Sequence, residues 1–204
     1  MTKLLSHIEI LPVIIRLHPV IKLTDDQLYD LCQLNRDLRI ERTAEGDLVI
    51  MPPTGGETGH RNAILVTLLT TWAWQDDTDV TFDSSTGFTL PNGALRSPDA
   101  AWIRRSRVMG MPAEQRERFL PLCPDFVVEL RSPSDPLSGL QSKMQEYIDH
   151  GAQLGWLIDP HSRRVYVYRP NRGVESLENP ATISGDPVLP GFVLDLQKIW
   201  AMTI

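Results

Sequence analysis

The chain has 204 residues, 42% of them apolar and 23% charged, with a formal net charge of −6. This is the composition of one ordinary globular domain. It excludes a wholly basic nucleic-acid-coating surface, and no apolar run approaches the roughly 20 residues that cross a bilayer. The opening "MTKLLSHIEILPVIIRLHP" is interrupted by Glu9, Pro12 and Arg16 and has no small-residue cleavage site, so it does not read as a signal peptide. Cys32 and Cys123 have no framework or metal spacing and read as free thiols of a cytoplasmic protein.

In chain order, residues 1–22 form an N-terminal extension and the rest of the single domain follows. "LTDDQLYDLCQLNRD" is a helix. Thr24 is its N-cap, Gln27 completes a capping box, and Leu28, Leu31 and Leu34 recur at helical spacing. "LRIERTAEGDLVIMP" is a hairpin turning at "AEGD". "GGETGHRNAILVTLLTTWAWQDD" is a long helix, with Ile64, Leu68 and Trp72 in one row and Leu65 and Leu69 beside it. Trp72 and Trp74 read as core or interface aromatics. Short strands follow at "TGFTLP" and "SPDAAWIRR", with a turn at "PNGA".

Residues 109–122 connect to the strand "DFVVELR", with helical character near "PAEQRERF". "LSGLQSKMQEYIDHG" is a helix capped at Gly151. "LGWLID" and "RRVYVYRP" pair across "PHS", and "GFVLDLQKIW" ends in a short strand and a terminal helix. This order predicts an α/β fold, a central mixed β-sheet flanked by helices. Apolar strands such as "FVV" belong at its centre.

Glu129 stands out inside that apolar strand, because an ionised carboxylate is costly to bury alone. Asp125 shares its face, yet four strand residues span roughly 13 Å, whereas oxygen ligands lie about 2.0–2.6 Å from a cation. A partner must come from a neighbouring strand, and Asp99 in "RSPDAAWI" is the best placed, at roughly 5 Å across adjacent strands. Two hard carboxylates suit Mg²⁺ or Mn²⁺. For a nearby cation, Arg131 and Lys143 compete. Lysine can lose its proton when desolvated beside a metal and so help position or activate a water, whereas arginine only stabilises charge; this favours Lys143.

"SPDAAWI", "PDFVVELRSPSD", "KMQEYIDHGAQLGWLIDP" and "RRVYVYRP", taken together, resemble the Uma-type restriction endonuclease family of the PD-(D/E)XK nuclease superfamily. The resemblance spans roughly Leu23 to Leu196. It implies a restriction-endonuclease-like core over 23–196, with Asp99 and Glu129 as metal ligands and the Leu130 carbonyl as a third oxygen. The motif lysine is implied to have moved to the following helix, at Lys143. Glu57, His60, Arg131 and Tyr147 are accessory candidates, and Arg131 departs from the superfamily pattern by occupying the usual lysine position.

The implied activity is Mg²⁺- or Mn²⁺-dependent hydrolysis of DNA phosphodiesters. A homodimer would supply two sites for two strands, and no membrane is involved. Arg104, Arg105, Arg107, Arg116, Arg118, Arg163 and Arg164 are candidates for phosphate contact. The rival expectation is a non-catalytic module of the same fold that binds nucleic acid or protein. His7, His18, His150 and His161 have no ligand spacing. Ser132 and Ser134 lack a nucleophile-elbow context and read as turn residues.

Overall fold

A computed structural model describes residues 12–75 and 79–201. His7, the "DD" closing the long-helix prediction and the opening "MTKLLSHIEIL" lie outside the described residues.

The first strand, β1 (Val13–Ile15), falls within the predicted extension and pairs antiparallel with β3. Helix α1 (Asp25–Leu34) has the expected capping box, with Thr24 Oγ1 accepting the Gln27 N–H and the Gln27 side chain accepting the Thr24 N–H. The hairpin forms as β2 (Arg39–Arg42) and β3 (Leu48–Met51). Gly46 takes φ 98° in its turn, a conformation open to glycine at little cost. Along β2, Ile40 and Arg42 face α1, and alternation sends Arg39 and Glu41 to the other side.

Helix α2 (Gly56–Ala73) buries Leu65 and Leu69 fully, while Ile64, Leu68 and Trp72 pack half-buried beside them. Trp74 is 78% exposed, so only Trp72 is a core aromatic. Strand β4 (Asp79–Asp83) alternates polar and apolar residues and pairs antiparallel with residues 100–104. Strands β5 (Phe88–Thr89) and β6 (Leu95–Arg96) flank the "PNGA" turn, followed by β7 (Ala100–Arg104).

Two short helices, α3 (Arg105–Met109) and α4 (Ala113–Arg116), lead to β8 (Phe126–Leu130), which is buried throughout. Helix α5 (Leu137–Asp149) ends where Gly151 takes φ 124°. Strands β9 (Leu154–Asp159) and β10 (Arg164–Tyr168) pair antiparallel as expected. The C-terminal part adds β11 (Glu175–Glu178), β12 (Thr182–Ser184), β13 (Val193–Asp195) and α6 (Gln197–Trp200).

The central sheet has six strands in the order β11-β10-β9-β8-β7-β4, and it is mixed because β8 and β9 run parallel while the other neighbours are antiparallel. One face packs on α2, α6 and the β12–β13 hairpin through Trp102, Phe126, Trp156 and Phe192. The other packs on α5 through Val127, Met144 and Tyr147. A five-stranded sheet, β1-β3-β2-β6-β5, sits alongside with α1 over Ile40 and Leu48. This is the predicted α/β architecture, a central mixed sheet with helices on its faces. Among the described residues, no helix is long and apolar enough to cross a membrane.

Trp156 stacks on Phe192 at 5.9 Å and meets Phe126 edge-on at 4.8 Å, yet its indole N–H has no partner among the described residues. Replacing Trp156 with Ala should cost about 3–5 kcal/mol. Replacing it with Phe should cost much less, because a ring remains and an unpaired N–H is removed. Chemical denaturation of both variants checks the ordering; equal losses would mean that ring packing is not what Trp156 contributes.

Candidate functional site

The antiparallel register of β7 and β8 pairs Ala100 with Val128, so the next step outward sets Asp99 opposite Glu129. Both carboxylates are buried, Glu129 at 4% exposure. Proline before Asp99 disfavours helix at Ser97 and keeps the approach extended. The Leu130 N–H donates to Asp99 Oδ2 at 2.8 Å, and Asn62 on α2 donates to Oδ1 at 3.0 Å. Leu130 thus meets Asp99 through its N–H. The Arg39 guanidinium lies 3.9 Å from Asp99 and also bonds the Ser97 carbonyl.

Lys143 projects from α5 to Glu129, with Nζ 2.8 Å from Oε1. Tyr147, one helical turn on, donates its hydroxyl to the same oxygen at 3.0 Å. The sequence candidates Asp99, Glu129, Lys143 and Tyr147 therefore share one neighbourhood. A further acid joins them: Glu41 on β2 lies 2.9 Å from Lys143 Nζ, accepts the Ser97 N–H at 2.9 Å and pairs with Arg96 at 3.3 Å. Arg96 also bonds Glu146 at 2.6 Å, and Asn92 holds the other oxygen of Glu146. The only local sign of Glu41 in the sequence is an acid on the strand face away from Ile40, which by itself reads as solvated.

Other candidates are committed elsewhere. Arg131 donates to Asp159 at 2.8 Å and to the Asp135 carbonyl at 3.0 Å. Glu57 is half-exposed at the cleft and lies 3.7 Å from Arg61. His60 is exposed on α2. Arg107 pairs with Asp125, Arg118 with Asp26, and Arg164 with Glu178. Among the arginines named above, Arg39 stands nearest the paired acids. Ser132 bonds Asp135 and Ser134, as a turn residue does.

The paired acids open on a cleft of about 650 Å³. Its walls include Arg39, Lys143 and the Pro52–Thr58 approach to α2. Burial pushes Glu129 up to about 7; Lys143 opposes this, but the neighbouring charges of Asp99 and Glu41 reinforce it. Burial also raises Asp99, against the pull of Arg39. Glu41 goes the other way despite its burial, because Lys143, Arg96 and the Ser97 N–H together hold it ionised. Lys143 is raised: desolvation favours the neutral amine, but Glu129 and Glu41 outweigh it. The proton loss expected of Lys143 is that of a lysine beside a metal; with its two acids alone, the ammonium form is favoured.

Four acids, Glu41, Asp99, Glu129 and Glu146, face three cations, Arg39, Arg96 and Lys143, so the cluster is short of positive charge. Among the described residues, no group of three or more His, Cys, Asp or Glu side chains forms a metal cage. Mg²⁺ rarely needs one, since one or two carboxylates plus water and phosphate oxygens commonly suffice. Each Asp99 oxygen accepts one hydrogen bond and keeps a lone pair. Among the described residues, no donor bonds Glu129 Oε2. The donor set of Asp99 and Glu129 therefore fits a hard divalent cation.

The family described as "Uma2: Putative restriction endonuclease" matches residues 25–197. A "putative nuclease belonging to DUF820" from Anabaena variabilis superposes with a TM-score of 0.73 at 20% identity, covering 87% of this chain and 97% of that one. At that identity the likeness carries the restriction-endonuclease-like fold. None of the curated proteins matches the chain.

With cations removed by a chelator, Glu129 should shape the pH dependence of stability. Its folded value of about 7 lies above its ordinary 4.5, so between these values the folded chain holds a proton that the unfolded chain has released. Stability should fall by up to about 3 kcal/mol as pH rises through that window, then level off. Glu41 acts below the window, losing stability on acidification from its ordinary 4.5. Thermal melts from pH 5 to 8 should show the decline in the natural chain and a shallower one in Glu129→Gln, where Asp99 is still raised by burial. An unchanged slope in that variant would assign the decline to another group.

Proposed function

This chain belongs to the Uma2 family, and from that membership we propose that it is a metal-dependent endonuclease hydrolysing DNA phosphodiester bonds. The observation that carries the reading is the Asp99–Glu129 juxtaposition on a cleft, with the Lys143 ammonium beside it. Asp99 and Glu129 would hold Mg²⁺ or Mn²⁺, with the Leu130 carbonyl as a further oxygen. When bound, such a cation lowers the pKa of a coordinated water and neutralises phosphate charge.

The chain's own side chains supply the rest. Lys143 keeps its proton and offers positive charge to an anionic phosphate oxygen or a hydrogen bond that orients a water. Arg39 adds a second fixed cation at the cleft wall. The Leu130 N–H and Asn62 orient the Asp99 carboxylate, and the Tyr147 hydroxyl orients Glu129. Burial of both acids excludes competing water and strengthens each of these interactions. A homodimer would present two such sites to the two strands of a duplex.

A non-catalytic binding module of the same fold is the second reading. It is favoured by Arg131, which stands at the usual lysine position yet is tied to Asp159.

Plasmid nicking in Mg²⁺ or Mn²⁺ should fall to background in Asp99→Ala and in Glu129→Ala. Titration calorimetry should show Mn²⁺ binding to the natural chain and not to either variant. Nicking that survives a substitution removes that residue from the site. Absence of Mn²⁺ binding and nicking in the natural chain would favour the binding module.

A further inference from the structure

We infer that Glu41 is a positioning residue of this site: it shares the Lys143 ammonium with Glu129, fixes that cation at the cleft, and leaves Glu129 an oxygen to spare. The kinetic consequence rests on the nuclease reading above, whereas the clamp itself does not.

Three observations support it. First, Glu41 is 3% exposed and has three partners among the described residues. Oε1 takes the Ser97 N–H and Lys143, while Oε2 faces Arg96, itself held by Glu146. An acid this deep is stable only when it is paired and hydrogen-bonded, and this set also makes it immobile.

Second, Lys143 has three N–H donors. Two are engaged, at 2.8 Å by Glu129 and at 2.9 Å by Glu41, and the side chain lines the cleft. The third donor is the one left for an anionic oxygen of a bound phosphate. A lysine stem has four rotatable bonds, and a single carboxylate would leave it hinged. Two carboxylates on two different sheets remove that freedom.

Third, an ammonium paired with Glu129 alone would concentrate on that carboxylate and compete with a divalent cation for it. Here Glu41 takes a second ammonium N–H, and Lys143 and Tyr147 both meet Glu129 at Oε1, so Oε2 stays available to a divalent cation.

The chain has four lysines, Lys3, Lys22, Lys143 and Lys198, so the side-chain ammonium signals in a ¹⁵N NMR spectrum are few, and Lys143→Arg identifies the one at the site. In the natural chain the Lys143 ammonium protons should exchange with water more slowly than those of the other three. Glu41→Gln keeps the shape and the Ser97 contact, and should speed that exchange by about tenfold or more, the factor one charge-assisted hydrogen bond brings. In the same variant kcat for nicking should fall roughly 10–100-fold with KM little changed, as for loss of a group that orients another. Glu41→Asp, which keeps the charge, should recover part of both.

Unchanged exchange in a folded Glu41→Gln chain overturns the inference, as does altered exchange with an undiminished kcat. If Glu41→Gln does not fold, the natural chain still decides, because a Lys143 signal exchanging as fast as the other lysines overturns the clamp and a slow one supports it. If the natural chain does not cleave DNA, the nuclease reading fails, and the exchange comparison alone decides the clamp.

Discussion

One ammonium group sits where the two larger sheets of this protein meet. Lys143 comes from α5 on the central sheet, Glu129 lies inside that sheet, and Glu41 reaches in from the middle of the neighbouring five-stranded sheet. Moving three charges out of water is expensive, and only their close mutual contact and the added hydrogen bonds make it tolerable. Among the described residues, removing Lys143 would leave Glu129 with only the Tyr147 hydroxyl, and Glu41 with Arg96 and the Ser97 N–H. The arrangement therefore ties the placement of the sheets to the geometry of the cleft.

The different fates of the two acids sharing this lysine show how local partners decide protonation. Glu41 has an arginine and a backbone N–H in addition, and stays ionised. Glu129 has Asp99 and Glu41 as neighbours, and burial drives it upward. A site that is short of positive charge in this way has a reason to attract a cation. The same two acids favour the charged form of Lys143 while no metal is bound.

Much of the fold is legible in local patterns. Thr24 and Gln27 announce the first helix, and Gly46 and Gly151 mark a turn and a helix end. The apolar runs "FVVEL" and "LGWLID" mark the sheet centre. Less legible are β11 and β12, whose short or polar strands are stabilised by pairing with a neighbour and carry little pattern of their own. Arg131, two residues past Glu129, competes with Lys143 by spacing alone; in the fold it bonds Asp159 and the Asp135 carbonyl.

Two even-spaced, apolar strands each carrying an acid beside the core are a property of the chain itself, because side-chain alternation and the cost of a lone buried charge are local matters. They suffice to pair Asp99 with Glu129 as candidates and to set Lys143 nearby on the next helix. Glu41 could not be found that way. It is 102 residues from Lys143 in sequence, and the face that carries it looks solvent-bound until Lys143 and Arg96 are brought to it. Which charge is buried against which depends on how two sheets pack, and that is a long-range outcome of burying their apolar faces.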